Sequence, residues 1–360
     1  RLAQLLRPRR RAHPARAGKQ QGIVEDRPQL GQVHAHRGLG KIQAFRRARH
    51  IVFGEQHVEG HQQVQVQSPE INHPYTWNFG YSFQLYPAMA DPAPTFCRRP
   101  AMNVLIVYAH PEPRSLNGAL KDFAVARLEA AGHAVQVSDL YAMGWKAVLD
   151  AGDSLEREAS ERFDPSATSL RAFENGWQSV DIAGEQDKLR WADTLILQFP
   201  LWWFSMPAIL KGWIDRVYAC GFAYGVGEHS DSHWGDRYGE GRMQGKRAML
   251  VVTAGGWESH YAARGINGPM DDLLFPIHHG ILHYPGFEVL PPFVVYRSGR
   301  IDAERFAALS EQLGRRLDDL QRAAPIPFRR QNGGDYLIPA LTLRDELAPQ
   351  RAGFAMHLAE

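Results

Sequence analysis

The stretch Thr194–Tyr218, TLILQFPLWWFSMPAILKGWIDRVY, restricts the fold more than any other part of the chain. Leu195-Ile196-Leu197-Gln198-Phe199 is a short apolar run after charged residues, which predicts a strand buried on both faces. Pro200 ends it, and Leu201-Trp202-Trp203-Phe204 follow as an aromatic loop. Ser205-Met206-Pro207 read as a helix cap with a proline in the first turn. Ile209, Leu210, Trp213, Ile214 and Val217 then recur at helical spacing and predict an amphipathic helix. Strand, loop and helix make half of a βαβ unit, and ligands of open α/β sheets sit outside the carboxyl ends of the strands. A Trp-Trp-Phe cluster taken alone is an ordinary core or interface feature. Its place directly after a buried strand predicts rings that face a planar ligand.

The same alternation runs through the chain from Met102 onward. Val104–Ala109 reads as a first strand, His110–Ser115 as its loop, and Asn117–Ala131 as a helix closed by Gly132. Val135–Ser138 is a second strand. Asp150–Gly184 is polar and weakly periodic, predicting a long excursion with short helices, and Asp187–Ala192 leads into the central strand. Ala248–Thr253 is a fourth strand with Gly255-Gly256 as its turn, and Met270–Leu282 suits a helix. Val289–Tyr296 is a fifth strand made irregular, or confined to an edge, by Pro291-Pro292. Asp302 caps a last helix reaching about Ala323. Five strands alternating with helices predict an α/β fold, a doubly wound five-stranded parallel sheet with helices on both faces.

Composition bears on the two ends differently. A chain of 360 residues allows one large domain or two ordinary ones, and 44% apolar content suffices for a core. The net charge of +2 hides a split: residues 1–101 hold 15 Lys+Arg against 6 Asp+Glu, and residues 102–360 hold 26 against 33. The first segment shows no sustained period and is expected to be a basic, mostly disordered extension. A basic tail, a transit-like peptide and an over-extended gene start are its three readings. The last is favoured, because Met102 runs straight into a strand. The basic balance is therefore no sign of nucleic-acid binding. Two cysteines, Cys97 and Cys220, cannot build a disulfide framework, so a cytoplasmic protein is expected. No apolar run approaches the roughly 18 residues of a membrane span.

Three loops at strand ends are expected to converge. In His110–Asn117, Ser115 and Asn117 precede a helix whose free amides suit a phosphate. No G-x-G-x-x-G pattern occurs there, which excludes a dinucleotide turn of the NAD type. Pro200–Phe204 is the second loop. In Thr253-Ala254-Gly255-Gly256, two glycines allow close backbone approach to a ligand. Other patterns carry less. Gly241–Arg247 lacks the Ser/Thr of a phosphate loop and precedes a strand. His279 and His283, beside His278, have no third ligand at suitable spacing and are expected to be core or interface histidines. His57 and His61 lack the glutamate of a metalloprotease helix, so no metal is assigned.

Taken in order, LIVYAH at 105–110, SDLYAM at 138–143, QFPLWWFSMPAILKGWIDRV at 198–217, TAGG at 253–256 and GILHYPGFEVL at 280–290 resemble one family. Residues 103 to about 325 are similar to the flavodoxin-like NAD(P)H:quinone oxidoreductases of the DT-diaphorase type, including bacterial NAD(P)H dehydrogenase (quinone) members. The tail Arg329–His357 looks like that of bacterial members. The resemblance implies a flavodoxin-like domain over 102–325 and a tail, 326–360, packed on the domain or on a dimer partner. It also implies a homodimer and FAD held non-covalently, with FMN as the alternative flavin. It implies ping-pong transfer of hydride from NAD(P)H through the flavin to a quinone.

By position, the resemblance places His110, Leu116 and Asn117 at the cofactor's phosphate region. Pro200, Leu201, Trp202, Trp203 and Phe204 fall at its ring system, with Thr253, Ala254, Gly255, Gly256 and Tyr261 on the other side. Arg305 matches an arginine reaching adenine-side phosphates, and Trp203 and Tyr224 match the lining of the nicotinamide and quinone pocket. Tyr261 and Asn267 fall at the catalytic pair, but the family's best-studied members have histidine where Asn267 stands. The loop Glu228–Gly245 is longer than in animal members, and Val226 replaces a second gate tyrosine. Relatives of this type also include ancillary subunits of potassium efflux systems, and flavodoxins carry single electrons. A regulatory or carrier role is thus the alternative.

Overall fold

The computed structural model describes residues 101–157 and 160–359, so the expectations for residues 1–100, the His57/His61 pair included, lie outside it. Strands β1 (Asn103–Tyr108), β2 (Ala134–Asp139), β3 (Thr194–Pro200) and β4 (Arg247–Thr253) form the body of a parallel sheet. The strand order is 2-1-3-4-5, the doubly wound arrangement read from the alternation of elements. β3 is central and every one of its residues is buried, as its near-continuous apolar run requires.

The fifth strand differs from expectation. It is split into β5 (Glu288–Val289) and β6 (Phe293–Val295), both parallel to β4, which makes six strands. Pro291 and Pro292 lie between the pieces, and a residue without an N–H cannot continue the ladder.

Helices α1 (Leu116–Ala130) and α6 (Ala303–Asp318) cover one face of the sheet. There Val104 and Ile106 of β1 pack with Leu120, Leu128, Leu313 and Leu317. The alternate residues Leu105 and Val107 point the other way, as the two-residue period of a strand dictates. They join Leu197, Phe199, Leu210 and Trp213 under α3 (Val180–Trp191), α4 (Ala208–Val217) and α5 (Met270–Ile277). A further helix, α2 (Pro165–Asn175), lies in the excursion before α3.

Three local expectations change. The segment Asp187–Ala192 is not a lead-in but the last half of α3, a 12-residue helix. Ser205 does not cap α4. Its N–H and C=O are both exchanged with Trp202 at 3.0 Å, and the Pro207 carbonyl accepts the first helical bonds from Leu210 and Lys211. The expected helix from Met270 is present but changes at His278 into a π-helical turn, His278–His283. Pro276 sits just before the change, and its missing N–H removes one i→i−4 bond.

The tail folds back on the domain. Ile326 N–H donates to the Val289 carbonyl at 2.7 Å, and a two-stranded hairpin, Tyr336–Leu337 with Thr342–Leu343, follows. Among the described residues no helix is long and apolar enough to cross a membrane.

Candidate functional site

Strand order reverses at β1, so the loops after β1 and β3 face each other across the crevice where such sheets receive ligands. Short bonds knit these loops to the one after β4. Asn117, 3% exposed, donates from Nδ2 to Thr253 Oγ1 at 2.6 Å. Its own carbonyl accepts from Gln198 Nε2 at 2.6 Å, tying α1 to β3. Leu201 N–H donates to the Thr253 carbonyl at 2.8 Å, and the His110 ring lies 6.1 Å from Trp202. Leu116 opens α1 behind the Ser115 cap, whose Oγ accepts from Gly118 N–H. The three loops expected from the sequence therefore form one connected rim.

The two glycines of the turn serve different ends. A Cβ on Gly256 would lie 2.9 Å from Tyr261 Cε2 and 3.3 Å from its hydroxyl, so Gly256 seats the tyrosine. A Cβ on Gly255 would meet nothing within 4 Å. Protein packing explains the first glycine and leaves the second facing open space. The turn is held from behind: Ala254 N–H donates to Val295 C=O at 2.8 Å, and Arg297 N–H donates to Gly256 C=O at 2.9 Å. Tyr261 also packs beside Tyr296, ring centroids 5.7 Å apart. Burial, with Glu258 and Asp271 nearby, pushes the Tyr296 phenol above its ordinary range. Asn267 N–H donates to the His260 carbonyl at 3.0 Å, which brings Asn267 within one residue of Tyr261 along the chain.

Around this rim the protein displays rings that a fold ordinarily buries. Trp202 is 41% exposed, Trp203 95%, Phe204 48% and Trp257 52%. Trp203 and Phe204 both have positive φ, 49° and 62°, so the backbone holds an unfavourable conformation to present them. Beside Gly255 a cleft of about 290 Å³ is lined by Gly255, Trp257, Arg297, Gly299 and Arg300. The Arg297 guanidinium stands 3.9 Å from the Trp257 ring centroid.

Trp257, Arg297 and Arg300 were missed in the sequence. The signal was there: Arg297-Ser298-Gly299-Arg300 follows the last strand segment, and every strand-end loop faces the same edge. Arg305, expected to reach phosphates, holds the neighbouring backbone. Nη2 donates to the Tyr296 carbonyl at 2.7 Å and Nη1 to the Arg300 carbonyl at 2.9 Å, so it shapes the loop that carries the other two arginines.

Tyr224 is not brought to this rim within one chain. It follows the carboxyl end of α4, and a crossover helix between parallel strands runs back to their amino ends. Its hydroxyl lies 3.0 Å from Ser166 Oγ, and its ring borders a separate cavity that also reaches Asp153 and Arg216.

A family model described as flavodoxin-like fold matches residues 102–317. The solved structure of a candidate quinone reductase from Klebsiella pneumoniae is 68% identical; the match covers 72% of this chain and 100% of that one, with a TM-score of 0.71. The chain belongs to the flavodoxin-like NAD(P)H dehydrogenase (quinone) family. It is an oxidoreductase, and its family implies a flavin cofactor. Among relatives of this family, a ribosyldihydronicotinamide dehydrogenase-like protein of Penicillium crustosum is 55% identical over 257 residues, 71% of this chain and 95% of that one. The human ribosyldihydronicotinamide dehydrogenase (quinone) is 41% identical over 225 residues, 62% and 94% of the two chains.

Proposed function

We propose that the chain transfers two electrons from NAD(P)H to quinones through a non-covalently held flavin in a ping-pong cycle, as a cytoplasmic homodimer. The observation that carries this reading is the set of exposed aromatics, Trp202, Trp203, Phe204 and Trp257, on the same strand-end loops as a Gly255 with open space over it. A planar ligand stacked there covers apolar area that otherwise stays in water. The residues fit a flavin. Pro200–Phe204 and Thr253–Gly256 offer flat groups and backbone, and Arg297 and Arg300 offer cations for phosphate. Two arginines, Arg297 and Arg300, line that cleft and suit a diphosphate, which supports FAD over FMN. The flavin, when bound, supplies acceptance and donation of hydride.

The chain's own residues then hold and polarise. The Tyr261 phenol, seated on Gly256, donates toward a ligand lying on the turn and stabilises negative charge that develops there. Asn267 adds an amide donor that does not titrate. The His110–Trp202 contact fixes one wall. In one copy Tyr224 lines a cavity that does not include Trp203, so a pocket walled by both would need a second copy of the chain; this supports the dimer.

The test is anaerobic rapid mixing of the full chain with NADPH, NADH or reduced nicotinamide riboside, then with a quinone. Bleaching of one bound flavin per chain and its return on quinone addition is the expected result. A bound flavin that none of the three donors reduces would refute the enzyme cycle. Chromatography of the flavin released by heat decides between FAD and FMN.

A further inference from the structure

The long loop Glu228–Gly245 carries a second group of chemistry-bearing side chains. His233, Asp236 and Glu240 each offer one ligand atom, and these atoms lie within 4.8 Å of one another. All three residues are half-buried. His233 Nε2 and Asp236 Oδ1 are 2.8 Å apart. Glu240 Oε2 accepts from Asn332 Nδ2 at 2.7 Å, and Asn332 also donates to the Gly235 carbonyl at 2.9 Å. The tail therefore braces the third side chain from outside.

The charges around this group do not balance. Among the described residues no lysine or arginine lies within ion-pair distance of Asp236 or Glu240; His233 is the only cationic-capable partner recorded for either. The loop's own two arginines are committed elsewhere. Arg237 donates from Nε to Gln331 Oε1 at 2.7 Å and lies over the Tyr284 ring, and Arg242 donates to the Gly221 carbonyl and lies over Phe173. Two half-buried carboxylates side by side without a cation repel each other and forfeit hydration. An imidazole converging on them completes a donor set that divalent metals prefer.

We propose that His233, Asp236 and Glu240 bind one divalent first-row metal ion, with zinc the best match to one nitrogen and two carboxylate donors. Water fills the remaining coordination position. Metal–ligand bonds of roughly 2.0–2.2 Å place tetrahedral ligand atoms about 3.3 Å apart. The ion thus replaces the His233–Asp236 hydrogen bond by a small separation of the two atoms. Its role is to pin the loop: Tyr238, between Asp236 and Glu240, stacks on His279 at 4.6 Å and so ties the loop to the π-helical turn. This site is separate from the strand-end rim and does not depend on the flavin reading.

The experiment is equilibrium dialysis of the full chain against zinc, with metal per chain measured by mass spectrometry. It is run alongside Asp236→Asn/Glu240→Gln and His233→Gln. Any zinc taken up by the other histidines is common to all three proteins, so the difference isolates the site. The parent is expected to hold one more tight equivalent than either variant, and zinc to raise the melting temperature of the parent alone. Equal stoichiometry with equal thermal response in parent and variants would overturn the proposal. If the double variant misfolds by circular dichroism, the single His233→Gln comparison decides it by the same two readouts.

Discussion

Two regions of this domain are rich in the same residue types and use them in opposite ways. Under the tail, Phe354 stacks on Phe275 at 4.2 Å, Phe275 on His279 at 4.7 Å, and His279 on Tyr238 at 4.6 Å, one continuous pile of rings. Arg329 beside it is 7% exposed and paired with Asp335 at 2.7 Å, and Tyr336 bonds His357. At the strand ends the rings stand bare, and the order lies beneath them, in the Asn117–Thr253 and Leu201–Thr253 bonds. Aromatic content alone does not mark a site. A hydrogen-bonded frame that holds large rings out in solvent does.

The largest expected effect tests the open side of that contrast. Gly255→Val puts a branched side chain into the space over the turn, where no protein atom interferes. It is expected to abolish flavin binding while leaving the sheet folded. Flavin absorbance per chain beside an unchanged circular dichroism spectrum is the measurement, and a variant that keeps stoichiometric flavin would move the ligand elsewhere. Next comes Tyr261→Phe, which keeps the ring on Gly256 and removes the donor. Reduction of bound flavin in a single turnover is expected to slow by roughly tenfold to a hundredfold, on the order of 1.4–2.7 kcal/mol in the barrier. Asn267→Ala should cost less, and Asn267→His should add a pH dependence between about 5 and 8. A Tyr261→Phe rate equal to the parent's would leave the tyrosine a packing residue.

The stacked side is tested by acid. Burial pushes His278 down to about 4, and burial with His283 and His357 close by pushes His279 down to about 3. Both are neutral in the fold, whereas the unfolded chain takes up protons near pH 6.5. Their contribution is complete above about pH 6.5 and is lost as the pH falls toward 4 and 3. The unfolding free energy from urea titration should therefore drop on acidification, by on the order of 1–2 kcal/mol per histidine between pH 6.5 and 5. His279→Phe keeps a flat ring in the pile and should reduce that slope by about half; an unchanged slope would show that His279 is not among its sources. The smallest effect concerns the first hundred residues. A chain starting at Met102 is expected to match the full chain in flavin content, oligomeric state by light scattering and melting temperature. Loss of any of the three would give residues 1–101 a role in the folded unit.

The strands were legible because buried parallel strands are near-continuous apolar runs, as in Leu195–Phe199 and Ala248–Val252. Helix α3 was not, since its buried positions are Ile182, Glu185, Gln186 and Leu189. Glu185 is neutralised inside by Lys188 and bonded by Ser138 and Trp213, and Gln186 donates to the Val217 carbonyl. Half of its inward face is polar, and no hydrophobic period can reveal such a helix. The rim of the site was legible as three loops. Its fourth side, Arg297–Arg300, was hidden behind a strand that two prolines had broken up. The His233/Asp236/Glu240 group lies on a loop without periodicity, where only the chain's path brings the side chains together.

The positive φ angles at Trp203 and Phe204 bear on how this protein responds to selection. A left-handed conformation costs an L-residue about 1–2 kcal/mol, and glycine or asparagine relieves it. A library screened only for thermal tolerance should therefore enrich Trp203→Gly and Phe204→Asn, and the recovered proteins should be hardier and catalytically poorer. Drift in this turn under relaxed selection would run the same way, so the two bulky rings persist only where their chemistry is being tested every generation.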